Sequence, residues 1–230
     1  MSTRPVYLIP GGPPPDLKQM KQDFRTVMEH CGKPYPKIAY VGTANNDNKT
    51  FFRFIKGPMI KAGAGEVTLV PIANKSADPQ TARRILSESD CVFLSGGEVE
   101  DGIVWLKKAG LDVFLAGLYN DGKPFFGTSA GCIMMGRNWV HWDVENDDST
   151  ASLFDCLNFV PMTFDTHCEN EGWKELKCAL RLMGPGSRGY GLSTNGFYSA
   201  DGEGRLTSYR NAPAVFHNTD GNIGEVVWDG

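Results

Sequence analysis

Residues 125–136 read FFGTSAGCIMMG, with Ser129 between Gly127 and Gly131, apolar residues before it and a helix-like stretch after it. A G-x-S-x-G segment between a strand and a helix is the pattern of a nucleophile elbow: small neighbours permit a strained turn that lifts the serine Oγ above a sheet. The N–H of Ala130 would then open a helix, where it is suited to hold an oxyanion. A plain Gly-rich turn matches the same five residues, so the companions of the serine decide between the two. One companion is CVFLSGG, a buried-type strand ending in Gly96-Gly97, whose side-chain-free backbone can come close to Ser129 and supply a second oxyanion donor. Another must be a base, and the chain holds four histidines. His30 lies near the end of the first helix, where a cation suits the helix dipole. His141 stands between tryptophans in WVHWD and reads as aromatic packing, and His217 lies near the C-terminus in VFHNTD. His167, in FVPMTFDTHCENEG, follows a strand-like run and precedes a helix.

Positioning these residues requires a sheet. Four apolar runs in the first half end in glycine or small polar residues: VYLIPGG (6–12), KIAYVGTA (37–44), EVTLVPIA (66–73) and CVFLSGG (91–97). Amphipathic stretches of helical length separate them, such as DLKQMKQDFRTVMEHCG, where Leu17, Met20, Phe24, Val27 and Met28 fall on one face. A fifth run, KPFFGTSAG, follows the helix-like DVFLAGLYNDG and leads straight into Ser129. This alternation predicts an α/β three-layer sandwich, with a mostly parallel central sheet flanked by helices. Ligand sites in such sheets lie beyond the carboxyl ends of the strands, where Gly11-Gly12, Gly42-Thr43, Gly96-Gly97 and Gly127–Gly131 would converge. After about residue 138 come aromatic and acidic loops, a strand-like NFVPMTF, a helix in ENEGWKELKCALRLMG and Gly-rich β-like segments. They read as antiparallel additions to a single domain over residues 1–230, without repeat or linker.

The totals narrow the partners. The formal charge of −4 comes without a Lys/Arg-rich run, which excludes an evident nucleic-acid or anionic-membrane footprint and favours a small peptide or amide substrate. No run approaches the ~20 apolar residues that span a bilayer. The short apolar stretch before the N-terminal proline cluster lacks the length and cleavage site of a secretory leader. Six cysteines without CxxC spacing favour neither a zinc site nor a disulfide framework, and the chain reads as cytoplasmic, with no metal and no cofactor. The 1–15 segment or the C-terminal strands could form a homo-oligomer interface.

Taken together, FLSGG, then GTSAG, then DCLNFVPMTFDTH, then GYGLS resemble the peptidase E and cyanophycinase family of serine peptidases, which share the class I glutamine amidotransferase fold. The resemblance runs from about residue 5 to 205, in the family's order. It implies Ser129 as nucleophile, His167 as general base, the N–H groups of Gly97 and Ala130 as oxyanion hole, and hydrolysis of a peptide or related amide through an acyl-enzyme. Where family members commonly carry an acidic residue, this chain has GLSTNG, so Ser193 and Thr194 occupy the expected positions. Asp143, 14 residues beyond Ser129 and at about the place of an aspartate in aspartyl dipeptidases, is an alternative orienter for the imidazole; it also reads as one carboxylate of a solvated acidic loop.

CENEGW offers no arginine to clamp an acidic substrate, while Glu169 and Glu171 could attract an amino group or simply begin a helix. Three rivals stand beside the peptidase reading. An α/β-hydrolase order would use Ser129, Asp201 and His217. An amidotransferase needs a cysteine at the elbow, and Cys132 comes three residues late. The gap at Ser193-Thr194 also fits a catalytically impaired homologue that binds a ligand or partner without turnover.

Overall fold

A computed structural model describes residues 4–12, 16–75, 77–144 and 146–230. Residues 1–3 and the 13–15 proline run, parts of the segment considered as an interface, lie outside the described residues. The five apolar runs form strands β1 (Val6–Ile9), β2 (Lys37–Val41), β3 (Glu66–Val70), β4 (Cys91–Leu94) and β5 (Phe125–Thr128), all mutually parallel where they pair. Between them run helices α1 (Leu17–Glu29), α2 (Lys49–Ala62), α3 (Pro79–Glu88), α4 (Val99–Lys108) and α5 (Asp112–Asn120), and α6 (Ala130–Met135) follows β5. A hairpin of β6 (Asn138–Trp142) and β7 (Ala151–Asp155) is followed by β8 (Thr163–Thr166), α7 (Lys174–Met183), β9 (Arg188–Leu192), β10 (Phe197–Ala200), β11 (Leu206–Arg210), β12 (Ala214–Thr219) and β13 (Asn222–Val226). The main sheet runs β11-β10-β1-β5-β4-β2-β3, with β10 and β11 added antiparallel, and a second sheet runs β13-β12-β9-β8. The expected α/β architecture, with a mainly parallel centre and antiparallel C-terminal additions, is the one observed.

Side-chain alternation along the buried strands divides the core into the two faces of the main sheet. Tyr7, Ile9, Ile38, Tyr40, Phe93 and Phe126 face α1 and α2; Phe24 of α1 meets Phe93 and Phe126 edge-on, at ring separations of 6.0 and 5.9 Å. Val6, Leu8, Val41, Val92, Leu94 and Phe125 face the opposite way, toward α3 to α6. Asp16 caps α1 by accepting the N–H groups of Lys18 and Gln19, and Asn48 caps α2 by accepting those of Thr50 and Phe51. Leu17, placed on the buried face of α1 by periodicity, is exposed at the helix's first turn.

Two C-terminal segments depart from expectation. NFVPMTF extends as a strand only from Thr163, because the preceding N–H groups are used elsewhere: those of Leu157 and Phe159 donate to the Met134 and Met135 carbonyls (2.9 and 3.0 Å), satisfying the end of α6. The helix expected from Glu169 begins at Lys174, since Gly172 and Trp173 adopt left-handed φ values of 67° and 60° that break the helical path. The second sheet also contains an unforeseen parallel pair, β8 on β9, with Thr166 opposite Leu192. Among the described residues, no helix is long and apolar enough to cross a membrane, and all six cysteines are unpaired.

Candidate active site

Ser129 follows β5 directly, with φ 49° and ψ −123°, a conformation that a non-glycine residue holds only when its surroundings impose it, at a cost of about 1–3 kcal/mol. The surroundings here are backbone. The Ser129 N–H donates to the Ile9 carbonyl at the end of β1 (3.2 Å), and the Ser129 carbonyl accepts the N–H of Cys132 (2.7 Å). Both motif glycines permit contacts that a side chain would block: a Cβ on Gly127 would lie 2.7 Å from the Gly131 backbone, and one on Gly131 would lie 2.1 Å from the Leu94 carbonyl oxygen of β4. The spacing of GTSAG therefore reflects close packing of β4, β5 and α6.

The Gly96-Gly97 loop lies against the serine; a Cβ on Gly96 would be 3.2 Å from Ser129 Cβ. Gly97 has φ 142°, and a Cβ there would strike the Ala44 carbonyl at 2.0 Å. The 3-10 turn Thr43–Asn45 holds this loop: the Glu98 N–H donates to Ala44 O (2.7 Å), and Asn45 Nδ2 donates to Ser95 Oγ and Gly96 O (2.8 Å each). Asp47 anchors the turn in its own right. Its buried Oδ2 accepts the N–H groups of Ile72 and Ala73 at 2.7 Å; burial raises its pKa, and these two hydrogen bonds oppose the rise.

Across the cleft, His167 follows β8 with φ 47°, and its N–H donates to Leu192 O of β9 (3.0 Å). Its Nε2 lies 2.8 Å from Ser129 Oγ. For a neutral imidazole to accept the serine hydroxyl there, the ring proton must sit on Nδ1. Among the described residues, no carboxylate is hydrogen-bonded to that Nδ1. Ala130, the first residue of α6, has an N–H without an intrahelical partner.

The structure separates Asp143 from this pair. Its carboxylate, 79% exposed, lies 3.2 Å from His141 Nε2, while His141 Nδ1 is 2.8 Å from both Glu100 oxygens. Hydrogen bonding to Glu100, then to Asp143, raises the His141 pKa. The carboxylate expected as an orienter for His167 thus meets the neighbouring His141, just past the end of β6. The same contacts replace the expected aromatic packing of His141 with an ion-pair arrangement.

The position left without an acid at Ser193-Thr194 is instead reached from the histidine's own loop. Glu169 accepts hydrogen bonds from the Thr194 N–H and, at 3.1 Å, from Thr194 Oγ1. The α/β-hydrolase arrangement is not assembled: Asp201 holds Arg205 Nε at 2.8 Å, and His217 Nδ1 faces Thr219 Oγ1 at 3.3 Å. Cys132 is buried with its thiol donating to Gly127 O, and burial pushes its pKa well up, as suits a core residue. His30 Nδ1 lies 2.7 Å from Thr26 O at the end of α1.

Sequence reading did not single out Asp165, two residues before the histidine. It is 1% exposed; Oδ1 accepts the Thr166 N–H (2.7 Å), whereas Oδ2 has no hydrogen-bond partner. Burial, then the nearby Glu175 carboxylate, pushes its pKa up to about 7. Asp165, Cys168 and Glu175 present ligand atoms within 4.8 Å of one another, the group among the described residues best able to hold a cation. All four residues of β8 are buried, so the burial of Asp165 follows from its place in that strand.

Ser129 and His167 open onto a cleft of about 380 Å³ above the carboxyl ends of the parallel strands. The fold and this Ser–His pair define an α/β protein of the serine-elbow type. Its fold is similar to that of a candidate peptidase E from Listeria monocytogenes EGD-e (19% identity, 92% of this chain and 100% of that one, TM-score 0.66). It is also similar to a peptidase from an acI-B1 actinobacterium (13% identity, 100% and 96%, TM-score 0.66). At these identities the likeness concerns the fold. Comparison with curated protein sequences finds no match. The sequence pattern of peptidase family S51 matches residues 8–194, and the chain belongs to that family of serine peptidases.

Proposed function

We propose that the protein is a serine hydrolase of the peptidase E type that cleaves a peptide or related amide bond. The observation that carries this reading is the 2.8 Å approach of His167 Nε2 to Ser129 Oγ, at a strained elbow that opens into a cleft. In the proposed reaction, Oγ attacks the carbonyl carbon as Nε2 takes its proton. The N–H groups of Gly97 and Ala130 hold the developing oxyanion, and the imidazolium protonates the departing amine. Water then enters, loses a proton to His167 and releases the acyl group from Ser129. The reading is of a Ser–His dyad, with the ring held by the strained His167 backbone and its bond to Leu192.

A fluorophosphonate probe tests it. Labelling of Ser129 in the natural chain, lost in Ser129→Ala and His167→Ala, is the expected result, together with hydrolysis within a peptide panel. A second reading, ligand binding without turnover, draws on the absence of a carboxylate at His167 Nδ1 among the described residues. An unlabelled Ser129 and an uncleaved panel would decide for it.

A further inference from the structure

The cleft beside Ser129 has an apolar wall, two of whose aromatic side chains lie outside the buried core. Helix α2 begins KTFFRFI. Phe52 turns inward, its ring meeting the buried Tyr40 at 5.0 Å, whereas Phe51 and Phe54 are 36% and 40% exposed and stack on each other at 6.3 Å. With Ile55 they form an i, i+3, i+4 stripe along a cleft also lined by Met20 of α1 and Ile9 of β1. Adjacent exposed aromatics on a helix are a feature to explain, since a solvated helix face ordinarily carries polar residues.

The positive charge of the same cleft is already matched. Its one arginine, Arg210, directs Nη1 and Nη2 to the two oxygens of Asp23, at 2.8 Å each, in a fork-to-fork pair whose acidic member is buried. The other carboxylate lining the cleft, Asp16, caps α1. With two carboxylates and one guanidinium, the cleft carries a formal charge of −1 when His167 is neutral. Among the described residues, an acidic substrate side chain would meet no free cation in this cleft, and it would lose its hydration beside Phe51 and Phe54.

We infer that Phe51, Phe54 and Ile55, with Met20 and Ile9, form a side-chain subsite for a large apolar residue next to the bond that is cut, and that this subsite selects against acidic residues. The inference rests on the serine-hydrolase reading for what happens to the bound peptide. The occupant is indicated by continuity: one cleft joins the apolar wall to Ser129 Oγ and His167, so a peptide placed for attack lays a neighbouring side chain along α2. Burying an aromatic or branched aliphatic side chain there, against leaving a carboxylate unpaired, predicts a preference of at least ~10-fold.

Binding separates this inference from catalysis. Blocked tetrapeptides of the form Ala-X-Ala-Ala, with X as Phe, Leu, Asp or Lys, are titrated calorimetrically into Ser129→Ala protein, which cannot form the acyl-enzyme. Phe and Leu peptides should bind at least ~10-fold more tightly than the Asp peptide, and a Phe51→Ala/Phe54→Ala double variant on the same background should reduce that ratio to within ~2-fold. The two rings are partly solvated, so the double variant is expected to fold, which circular dichroism checks. Equal affinities, tighter binding of the Asp peptide, no measurable binding of any peptide, or a preference unchanged in the double variant would each overturn the subsite. Fluorophosphonate labelling of the natural chain is scored alongside. Labelling without an apolar preference sinks the subsite alone, and an apolar preference without labelling sinks the hydrolase reading alone.

Discussion

The loop that carries Ser129 and the loop that carries His167 meet at 2.8 Å, yet they are held by different means. The serine loop is locked by backbone against backbone: Gly127 on Gly131, Gly131 on Leu94, and Gly97 on Ala44, with no room for a Cβ at any of them. The histidine loop hangs from the end of an edge strand of the smaller sheet. It is secured by a backbone bond to Leu192 and by the bonds Glu169 accepts from Thr194, and it follows a buried carboxylate, Asp165, that lacks a partner for one oxygen. The first loop is tolerant of nothing larger than glycine and owes little to charge. The second is electrostatic, so protonation can change it. A serine set by sterics and a histidine set by polar contacts should respond to different perturbations.

The largest effect should come from removing His167, the proposed base. In His167→Ala, the rate of fluorophosphonate labelling and of any peptide hydrolysis should fall by roughly 10³–10⁴-fold. A rate within tenfold of the natural chain would mean that the two loops do not act as one pair.

Next comes Gly131→Ala, whose Cβ would lie 2.1 Å from the Leu94 carbonyl. It should destabilise the fold by about 2–4 kcal/mol in denaturant unfolding, as backbone must shift to admit the methyl group. Gly117→Ala on α5, where a Cβ meets nothing within 4 Å, is the reference and should stabilise by up to ~1 kcal/mol. Similar midpoints for the two variants would refute the steric account of the serine loop.

Asp165→Asn addresses the histidine loop. Because the folded state raises this carboxyl from 3.8 to about 7, the native protein binds more protons than the unfolded chain between those values. The contribution of Asp165 to stability therefore falls as pH rises across that window and levels off above about 7. Asparagine keeps an acceptor for the Thr166 N–H and cannot ionise. The variant should gain on the natural chain progressively from pH ~4 to ~7, by an amount on the order of 1–4 kcal/mol. Parallel stability curves over that range would show that Asp165 titrates normally.

The smallest effect should be that of Asp143→Ala, whose carboxylate is solvated and faces His141. Labelling of Ser129 should change by less than ~2-fold, while the His141 pKa, followed by NMR, should fall toward its ordinary value without reaching it, since Glu100 remains. A loss of labelling above tenfold would return Asp143 to a place behind His167.

Much of this organisation was legible in the sequence where the determinants are local. Alternating apolar runs and amphipathic stretches locate β1 to β5 and the helices between them, because side-chain period and chain punctuation are properties of neighbouring residues. GTSAG marks the elbow for the same reason, and the family's motif order directs attention to His167. NFVPMTF was harder: its apolar pattern suits a strand, but its N–H groups satisfy the end of α6, a demand that arises only once α6 is in place.

By itself, then, the sequence determined the parallel core, the elbow serine and a small set of polar residues near it in the motif order. Only the tertiary structure decided which groups each of them meets. Asp143 goes to His141, Glu169 crosses to Thr194, Asp165 is buried with an unpartnered oxygen, and Arg210 closes on Asp23 across 187 residues. The physical reason is the range of the forces involved. Backbone propensity and apolar periodicity act within a few residues, whereas the partner of a charge, and the use of two phenylalanines that lie outside the buried core, are set by whatever chain folding brings within a few ångströms.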